Sequence, residues 1–500
     1  SGLFYFLINN VLYFLTYDYR NIKLMKKITS IVSLLLIIGC GSNSSPSLIE
    51  PPQLPEVPDT ILPMFNVTPI ILEDGVSYYS NACNNPSFQF LIPVNINDDI
   101  YTDFIAHFWC DSENPTEISK EDVPDSLIAY VSDGYGNYNI DNVSVFGELY
   151  PKLGGASRKY ARGDINEDGK DDFAFAMNAE DGRAAYDWET YETNYAYPAV
   201  LLSTNSGYEI INIGNKDWGH SVQIKNNEVL FGGHTSQAYK FLNSEWIDIS
   251  NNYTELSFAS FLVFDDYIVN SSRKDSKQGL ELVKNNEVIS SIMKDEIFKV
   301  YFEAWNNSGT GNYEQIGVYE YRNKYYFHGM TSEMCRKDDL IVATINASKP
   351  IEGEIIENGY YSESESTPVV LFSFYEIDAN QLKEKDISID GEEINHNFNF
   401  FDCLDVNKDN NKDIVAQVFS QSWNTQSPNN KGIPKVYINS GINYINLDTS
   451  EWPTFSINVD SQGFLFDINK SGTVDLIMYP LKADVSANIE IYTSNRNITD

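Results

Sequence analysis

The stretch Asp164-Ile165-Asn166-Glu167-Asp168-Gly169-Lys170-Asp171-Asp172-Phe173 places oxygen-bearing groups at alternate positions of a nine-residue loop, and an apolar run, Phe173 to Met177, follows at once. Side-chain oxygens stand at loop positions 1, 3 and 5 (Asp164, Asn166, Asp168), with the carbonyl of Lys170 at position 7 and the carboxylate of Asp172 at position 9. Such a set suits one hard cation, because calcium takes about six to eight oxygens in a flexible shell. Gly169 at position 6 lets the chain turn through positive φ, which a residue with a Cβ resists. The spacing predicts a Ca²⁺ loop rather than a phosphate cradle.

The string returns at three further places. Asp405-Val406-Asn407-Lys408-Asp409-Asn410-Asn411-Lys412-Asp413 fills the ligand positions at Asp405, Asn407, Asp409, Asn411 and Asp413. Its position 6 is Asn410, a residue type that tolerates positive φ. Asp467-Ile468-Asn469-Lys470-Ser471-Gly472-Thr473-Val474-Asp475 offers Asp467, Asn469, Ser471, Thr473 and Asp475, so one carboxylate is replaced by a hydroxyl and weaker binding is expected. In Asn95-Ile96-Asn97-Asp98-Asp99-Ile100-Tyr101-Thr102-Asp103 the set is Asn95, Asn97, Asp99, Tyr101 and Asp103. A neutral first ligand and β-branched Ile100 at the turn mark this copy as weak or empty.

An apolar strand follows each loop: Phe104 to Phe108, Phe173 to Met177, Ile414 to Val418 and Leu476 to Tyr479. Farther on, each unit carries a second strand and a polar turn, as in Val200-Leu201-Leu202 before Asn205-Ser206-Gly207 and Val436-Tyr437-Ile438 before Asn439-Ser440-Gly441. Loop starts at 95, 164, 405 and 467 give steps of 69, 241 and 62, and 241 is close to four times 60. The mean step, (467 − 95)/6 = 62, fits seven units, three of which, within 211–394, have lost their loops. Repeats of this kind, each about four strands, predict an all-β chain forming a seven-bladed β-propeller.

These segments resemble the FG-GAP or VCBS-type repeats of integrin α-subunit propellers and of many bacterial secreted proteins, whose D-x-[DN]-x-[DN]-G-x-x-D loop joins two strands of a blade. The resemblance covers roughly residues 85–210 and 395–500, and it implies that the calcium is structural.

Composition agrees with a large β core. Of 500 residues, 42% are hydrophobic and 14% aromatic, enough to bury extensive surface. A formal net charge of -37 argues against nucleic acid and anionic membrane as partners.

The chain opens on Ser1, and translation is expected to start at Met25, which leaves 1–24 as upstream sequence. Met25-Lys26-Lys27 reads as a basic n-region, Ile28 to Ile38 as an apolar h-region and Ile37-Ile38-Gly39-Cys40 as a cleavage box. Residues 25–40 resemble a bacterial lipoprotein signal, which implies that Cys40 carries the lipid and that the membrane is reached through this anchor alone. Residues 41–63, with prolines at 46, 51, 52, 55, 58 and 63, read as a semi-rigid tether, and 64–500 as the propeller. The final strand, Ile489 to Tyr492, is expected to pair with an N-terminal strand from 64–94 and so close the ring without an open edge.

Cys83, Cys110, Cys335 and Cys403 remain, an even number in a compartment where disulfides persist. Four cysteines permit three pairings, of which Cys83–Cys110 and Cys335–Cys403 are favoured, free buried thiols being the alternative.

The middle, 211–394, holds His220, His234 and Glu333, a combination able to build a metal or acid–base site, although such residues more often pack within blades. No nucleophile elbow, P-loop, zincin helix or dinucleotide motif occurs. Arg162-Gly163-Asp164 spells an adhesive tripeptide, yet Asp164 is the first loop ligand and is expected to face inward. Together these readings predict a monomeric, lipid-anchored, cell-envelope propeller that binds a protein or glycan. The alternative is a polysaccharide lyase or glycoside hydrolase with structural calcium.

Overall fold

In a computed structural model, the strands of residues 64–498 group into seven small antiparallel sheets, six of four strands and one of six. Outside the described residues lie 1–63, 73–85, 111–126, 148–155, 179–195, 305–311, 351–365, 391–397, 419–431, 457–460, 481–487 and several shorter stretches.

A short strand, β1 (Ile70–Leu72), precedes the first complete blade. Blade 1 is β2 (Pro86–Val94), β3 (Asp103–Cys110), β4 (Leu127–Ser132) and β5 (Tyr138–Ile140), followed by a five-residue helix, α1 (Asn142–Phe146), capped by the Asp141 side chain. Blade 2 is β6 (Ala156–Gly163), β7 (Asp172–Asn178), β8 (Ala199–Thr204) and β9 (Gly207–Asn212). Blade 3 is β10 (Ser221–Lys225), β11 (Glu228–Gly232), β12 (Gln237–Leu242) and β13 (Glu245–Asp248). Blade 4 is β14 (Phe261–Phe264), β15 (Tyr267–Lys274), β16 (Lys277–Lys284) and β17 (Glu287–Asp295).

Blade 5 runs from β20 (Tyr325–Lys337) through β21 (Leu340–Pro350) and β22 (Ser366–Asp378) to β23 (Gln381–Lys385). An added hairpin, β18 (Phe298–Ala304) and β19 (Asn312–Tyr321), pairs with the start of β20 through Tyr319↔Phe327 and Tyr321↔Tyr325. Blade 6 is β24 (Phe398–Leu404), β25 (Asp413–Val418), β26 (Lys435–Asn439) and β27 (Tyr444–Asn446). Blade 7 is β28 (Ser461–Phe466), β29 (Asp475–Pro480) and β30 (Ile489–Tyr492), completed by β1.

The expected closure is present. β1 lies antiparallel to β30 in the register Ile70↔Ile491, Ile71↔Glu490 and Leu72↔Ile489. Phe65 extends the seam by a bridge to Ser494, and its ring packs edge-on against Trp452 at 5.0 Å. Pairing the two chain ends in one sheet satisfies backbone groups that an open ring would leave exposed.

Blades pack face to face, so their inner and middle strands are largely covered on both sides and many read as near-continuous apolar runs, whereas outer strands such as β13 and β17 stay largely exposed. All six residues of β29 are buried. Phe104, Ile128 and Tyr130 of blade 1 share one core with Phe464, Ile477 and Tyr479 of blade 7. On its other side, Phe90 and Ile105 meet Phe173, Phe175 and Met177 of blade 2. Each such side chain contributes about 1.5–3 kcal/mol through burial.

The seven-unit count holds while the even spacing does not. First strands begin at Ser221 in blade 3 and Phe261 in blade 4, only 40 residues apart, whereas blade 5 is lengthened by β18 and β19. Blade 3 is short because Asn243 and Ser244 both take positive φ (53° and 62°), making a two-residue hairpin between β12 and β13. Among the described residues no helix is long and apolar enough to cross a membrane.

Candidate functional site

The four oxygen-rich loops each connect the first and second strands of a blade, in blades 6, 7, 1 and 2, which are neighbours around the closed ring. They therefore lie on one face and form a continuous arc. In blades 3, 4 and 5 the equivalent connections are two residues long, as the loss of three loops predicts.

Within each loop the position-9 aspartate is a clamp. Asp172 is fully buried, its Oδ2 accepts from the N–H groups of Ile165 (2.6 Å) and Asn166 (3.2 Å), and its Oδ1 accepts from Ser203 N–H at 2.6 Å. The same bonds recur from Ile96 and Ser132 to Asp103, from Val406 and Asn439 to Asp413, and from Ile468 and Ser494 to Asp475. One carboxylate thus ties the loop's second residue to the end of the third strand. Burial pushes the carboxyls of Asp413 and Asp475 up to about 6 against the pull of these N–H donors, and it raises Asp103 and Asp172 in the same direction.

Positions 1, 3 and 5 turn inward as the spacing requires. Asp164 Oδ1 and Asn166 Oδ1 accept from the same N–H, that of Asp168, at 3.0 and 3.1 Å, and Asp164 Oδ2 accepts from Gly169 N–H at 3.0 Å. Blade 6 repeats this with Asp405 and Asn407 around Asp409 N–H, and blade 7 with Asp467 and Asn469 around Ser471 N–H. Positions 4 and 6 both take positive φ in all three loops: Glu167 59° and Gly169 84°, Lys408 61° and Asn410 68°, Lys470 55° and Gly472 86°. The blade 1 loop departs, since Ile100 stays outside that region while Asp99 Oδ2 is buried without a hydrogen-bond partner.

These residues fit a hard cation by their chemistry. In the 164 loop the carboxylates of Asp164, Asp168 and Asp172, the Asn166 amide oxygen and the Lys170 carbonyl are oxygen donors of the kind calcium selects, although the Asp172 oxygens already accept three backbone N–H groups. Among the described residues no three His, Cys, Asp or Glu side chains gather into a metal-holding group. The loops of blades 7 and 1 also touch, with Lys470 Nζ donating to the Asp99 carbonyl at 2.8 Å and Thr102 N–H to the Ile468 carbonyl at 2.6 Å.

Arg162 does not present an adhesive tripeptide. Its guanidinium donates to the Pro93 carbonyl, stands 3.8 Å from Asp171 and lies over the rings of Phe173 and Phe466 at 5.5 and 5.9 Å. The side chain knits blade 2 to blades 1 and 7.

A second region was invisible in the sequence. The innermost strands of the seven blades, β2, β6, β10, β14, β20, β24 and β28, surround a central cavity of about 360 Å³. Tyr160, Arg162, Asp402 and Gln417 line it. Burial pushes the Asp402 carboxyl up, with the Cys403 N–H, Lys412 and Arg162 pulling the other way. The Cys335–Cys403 disulfide, as favoured from the sequence, joins β20 to β24 in the same wall with a Cα–Cα distance of 5.9 Å. Cys40 and Cys83 lie outside the described residues.

His220 and His234 do come together. Both pack edge-on against Trp218, with ring centroids at 5.6 and 5.4 Å. Glu333 falls on β20, but its side chain lies outside the described residues.

No protein-family model matches the chain, and no curated protein matches it. Among solved structures it is similar to the computationally designed Ika8 protein, with a TM-score of 0.35 and 9% identity over 82% of this chain and 98% of that one. It is similar to a protein of unknown function from Dyadobacter fermentans, with a TM-score of 0.39 and 10% identity over 86% and 99%. A rhamnogalacturonan lyase from Bacillus licheniformis gives a TM-score of 0.34 and 11% identity over 86% and 75%. At such identities and scores these likenesses carry no argument about activity.

Proposed function

We propose that the protein is a calcium-binding β-propeller with FG-GAP/VCBS-type repeats, anchored at the cell envelope through Cys40, that acts as a binding or adhesion module for a protein or glycan. The observation that supports this best is the repeated loop. In blades 2, 6 and 7 the oxygens of positions 1 and 3 gather around one backbone N–H, with paired positive-φ residues at positions 4 and 6. Bound Ca²⁺ supplies the charge that offsets the crowded carboxylates. The chain's own contribution is mechanical: the position-9 clamps fasten each loop to its blade, and the contacts of Lys470 and Thr102 fasten one loop to the next. A face held in this way presents fixed side chains to a partner with little ordering cost.

Two measurements test the reading. Ligand capture on a glycan array or on intact cells should require calcium and be lost in EDTA. In the native host, Cys40→Ser should move the protein from the membrane fraction to the soluble one; unchanged fractionation would remove the anchor from the account.

A second reading, a polysaccharide lyase or glycoside hydrolase with structural calcium, is favoured by the convergence of His220 and His234 on Trp218. Turnover of a polysaccharide that disappears in His220→Ala or His234→Ala would establish it.

A further inference from the structure

The central cavity is lined by charged and polar groups from several blades. Asp402, on β24, reaches the lumen, where the surrounding blades enclose and desolvate it, and accepts a hydrogen bond from the neighbouring Cys403 N–H at 2.8 Å. Arg162, on β6 three blades away around the ring, also lines the cavity and pairs with Asp171 rather than with Asp402. Both signs of charge therefore face one small space. A purely cationic ligand meets Arg162, and a purely anionic one meets Asp402.

Lys159 adds a second cation to the wall, neutral polar groups complete it, and one of these is aimed by a relay. The Tyr479 hydroxyl donates to Gln462 Oε1 at 3.0 Å, and Gln462 Nε2 donates to Gln417 Oε1 at 3.1 Å. With its oxygen engaged, Gln417 keeps its NH₂ group as the donor. In the register of blade 6, Asp402 pairs with Val415 and Phe400 with Gln417, so Asp402 and Gln417 are diagonal neighbours on one face of the sheet. An acceptor and a donor stand side by side. The aromatic rings of Tyr160, Phe464 and Tyr479 supply apolar surface beside them.

We infer that the central channel is a binding site for one unit of a polyhydroxylated ligand, a sugar ring, with Asp402 accepting from its hydroxyls and Gln417 donating to them. A hydroxyl both donates and accepts, so it satisfies this mixed wall without importing net charge. C–H faces of a sugar ring suit the aromatic side, and about 360 Å³ lies within the range of small-ligand pockets. The Cys335–Cys403 disulfide, adjacent to Asp402, holds that carboxylate in the wall. This site deepens the glycan branch of the proposed function and rests on it for ligand class, and none of the loop ligands is among its lining residues.

The test is calorimetric titration of the full-length protein with glucose, galactose, mannose, N-acetylglucosamine and glucuronate, and in parallel with lysine and glycine betaine. At least one sugar should bind with unit stoichiometry, and Asp402→Asn should weaken it about tenfold or more while leaving the melting temperature unchanged or raised. Gln417→Leu should weaken it as well; because that change strips a partner from Gln462, the near-isosteric Asp402→Asn decides the matter. Absence of binding by every sugar at millimolar concentration, equal binding by Asp402→Asn, or binding of lysine or glycine betaine instead would overturn the inference. A calcium-dependent melt recorded on the same samples keeps failure of the channel site distinct from failure of the calcium reading.

Discussion

Asp172 and Ser203 are joined across blade 2 by a 2.6 Å hydrogen bond from the Ser203 N–H to a fully buried carboxylate. That carboxylate also receives the N–H groups of Ile165 and Asn166, so Asp172→Ala strands three donors at once. A loss of about 3 kcal/mol or more is expected from unmet backbone donors near a charged acceptor. Asp172→Asn keeps one acceptor oxygen and should lose roughly half as much. Guanidinium denaturation midpoints of the two variants measure the difference, and equal midpoints would assign the clamp no role.

The pH dependence of the metal-free protein follows from the same residues. Burial raises Asp413 and Asp475 to about 6 from an ordinary value of 3.8. With folded values above unfolded ones, the folded state holds more protons through this window. The stabilisation is complete below about 4 and is lost as pH rises through about 6. In EDTA, stability should therefore fall between pH 4 and pH 6, and Asp475→Asn should flatten part of that slope. Denaturant midpoints that rise over this interval would contradict the assignment.

Ring closure makes a separate prediction at Phe65. Its side chain is 1% exposed, packs on Trp452, and is followed by Asn66, whose N–H donates to the Thr493 carbonyl at 2.9 Å. Phe65→Ala should cost about 3–5 kcal/mol, the range for large-to-small changes in a core. Because β30 then pairs with a loosened β1, hydrogen exchange at Ile489 to Tyr492 should speed up more than in β7. Uniform acceleration would mean that the two ends are not the seam.

Much of this architecture is legible locally, and the reasons are physical. A loop such as 164–172 must carry its oxygens at fixed spacing because they serve one point, so the repeat survives in the sequence. Strand β29 is buried throughout, and apolar after Asp475, because neighbouring blades cover both of its faces. Blades 3 to 5 lack such loops, and their number came from chain length alone. Their signal lies in two-residue turns with paired positive φ, at Asn243-Ser244, Asn285-Asn286 and Ala379-Asn380. The channel wall is different in kind. Asp402 and Gln417 are neighbours through the pairing of β24 with β25, but Arg162 joins them in one cavity only because the ring closes, and no spacing along the chain encodes that meeting.

The disulfide between Cys335 and Cys403 closes a loop of 68 residues and staples the inner edges of blades 5 and 6. Chain-entropy reasoning gives about 4 kcal/mol for a crosslink of that span. Cys403→Ser should lower the denaturation midpoint accordingly, and reduction of the wild-type protein should reproduce the loss. A midpoint indifferent to both would show that the two blades are held by packing alone.

Calcium remains the centre of the account, and thermal melting with and without EDTA reads it most directly. Ligand binding to the folded state stabilises it by mass action, about 2.7 kcal/mol per site at a hundredfold excess over Kd. Calcium should raise the melting temperature, and Asp168→Ala and Asp409→Ala should each remove part of the rise. A melt that neither calcium nor EDTA moves, in the wild-type chain and in both variants, would contradict it.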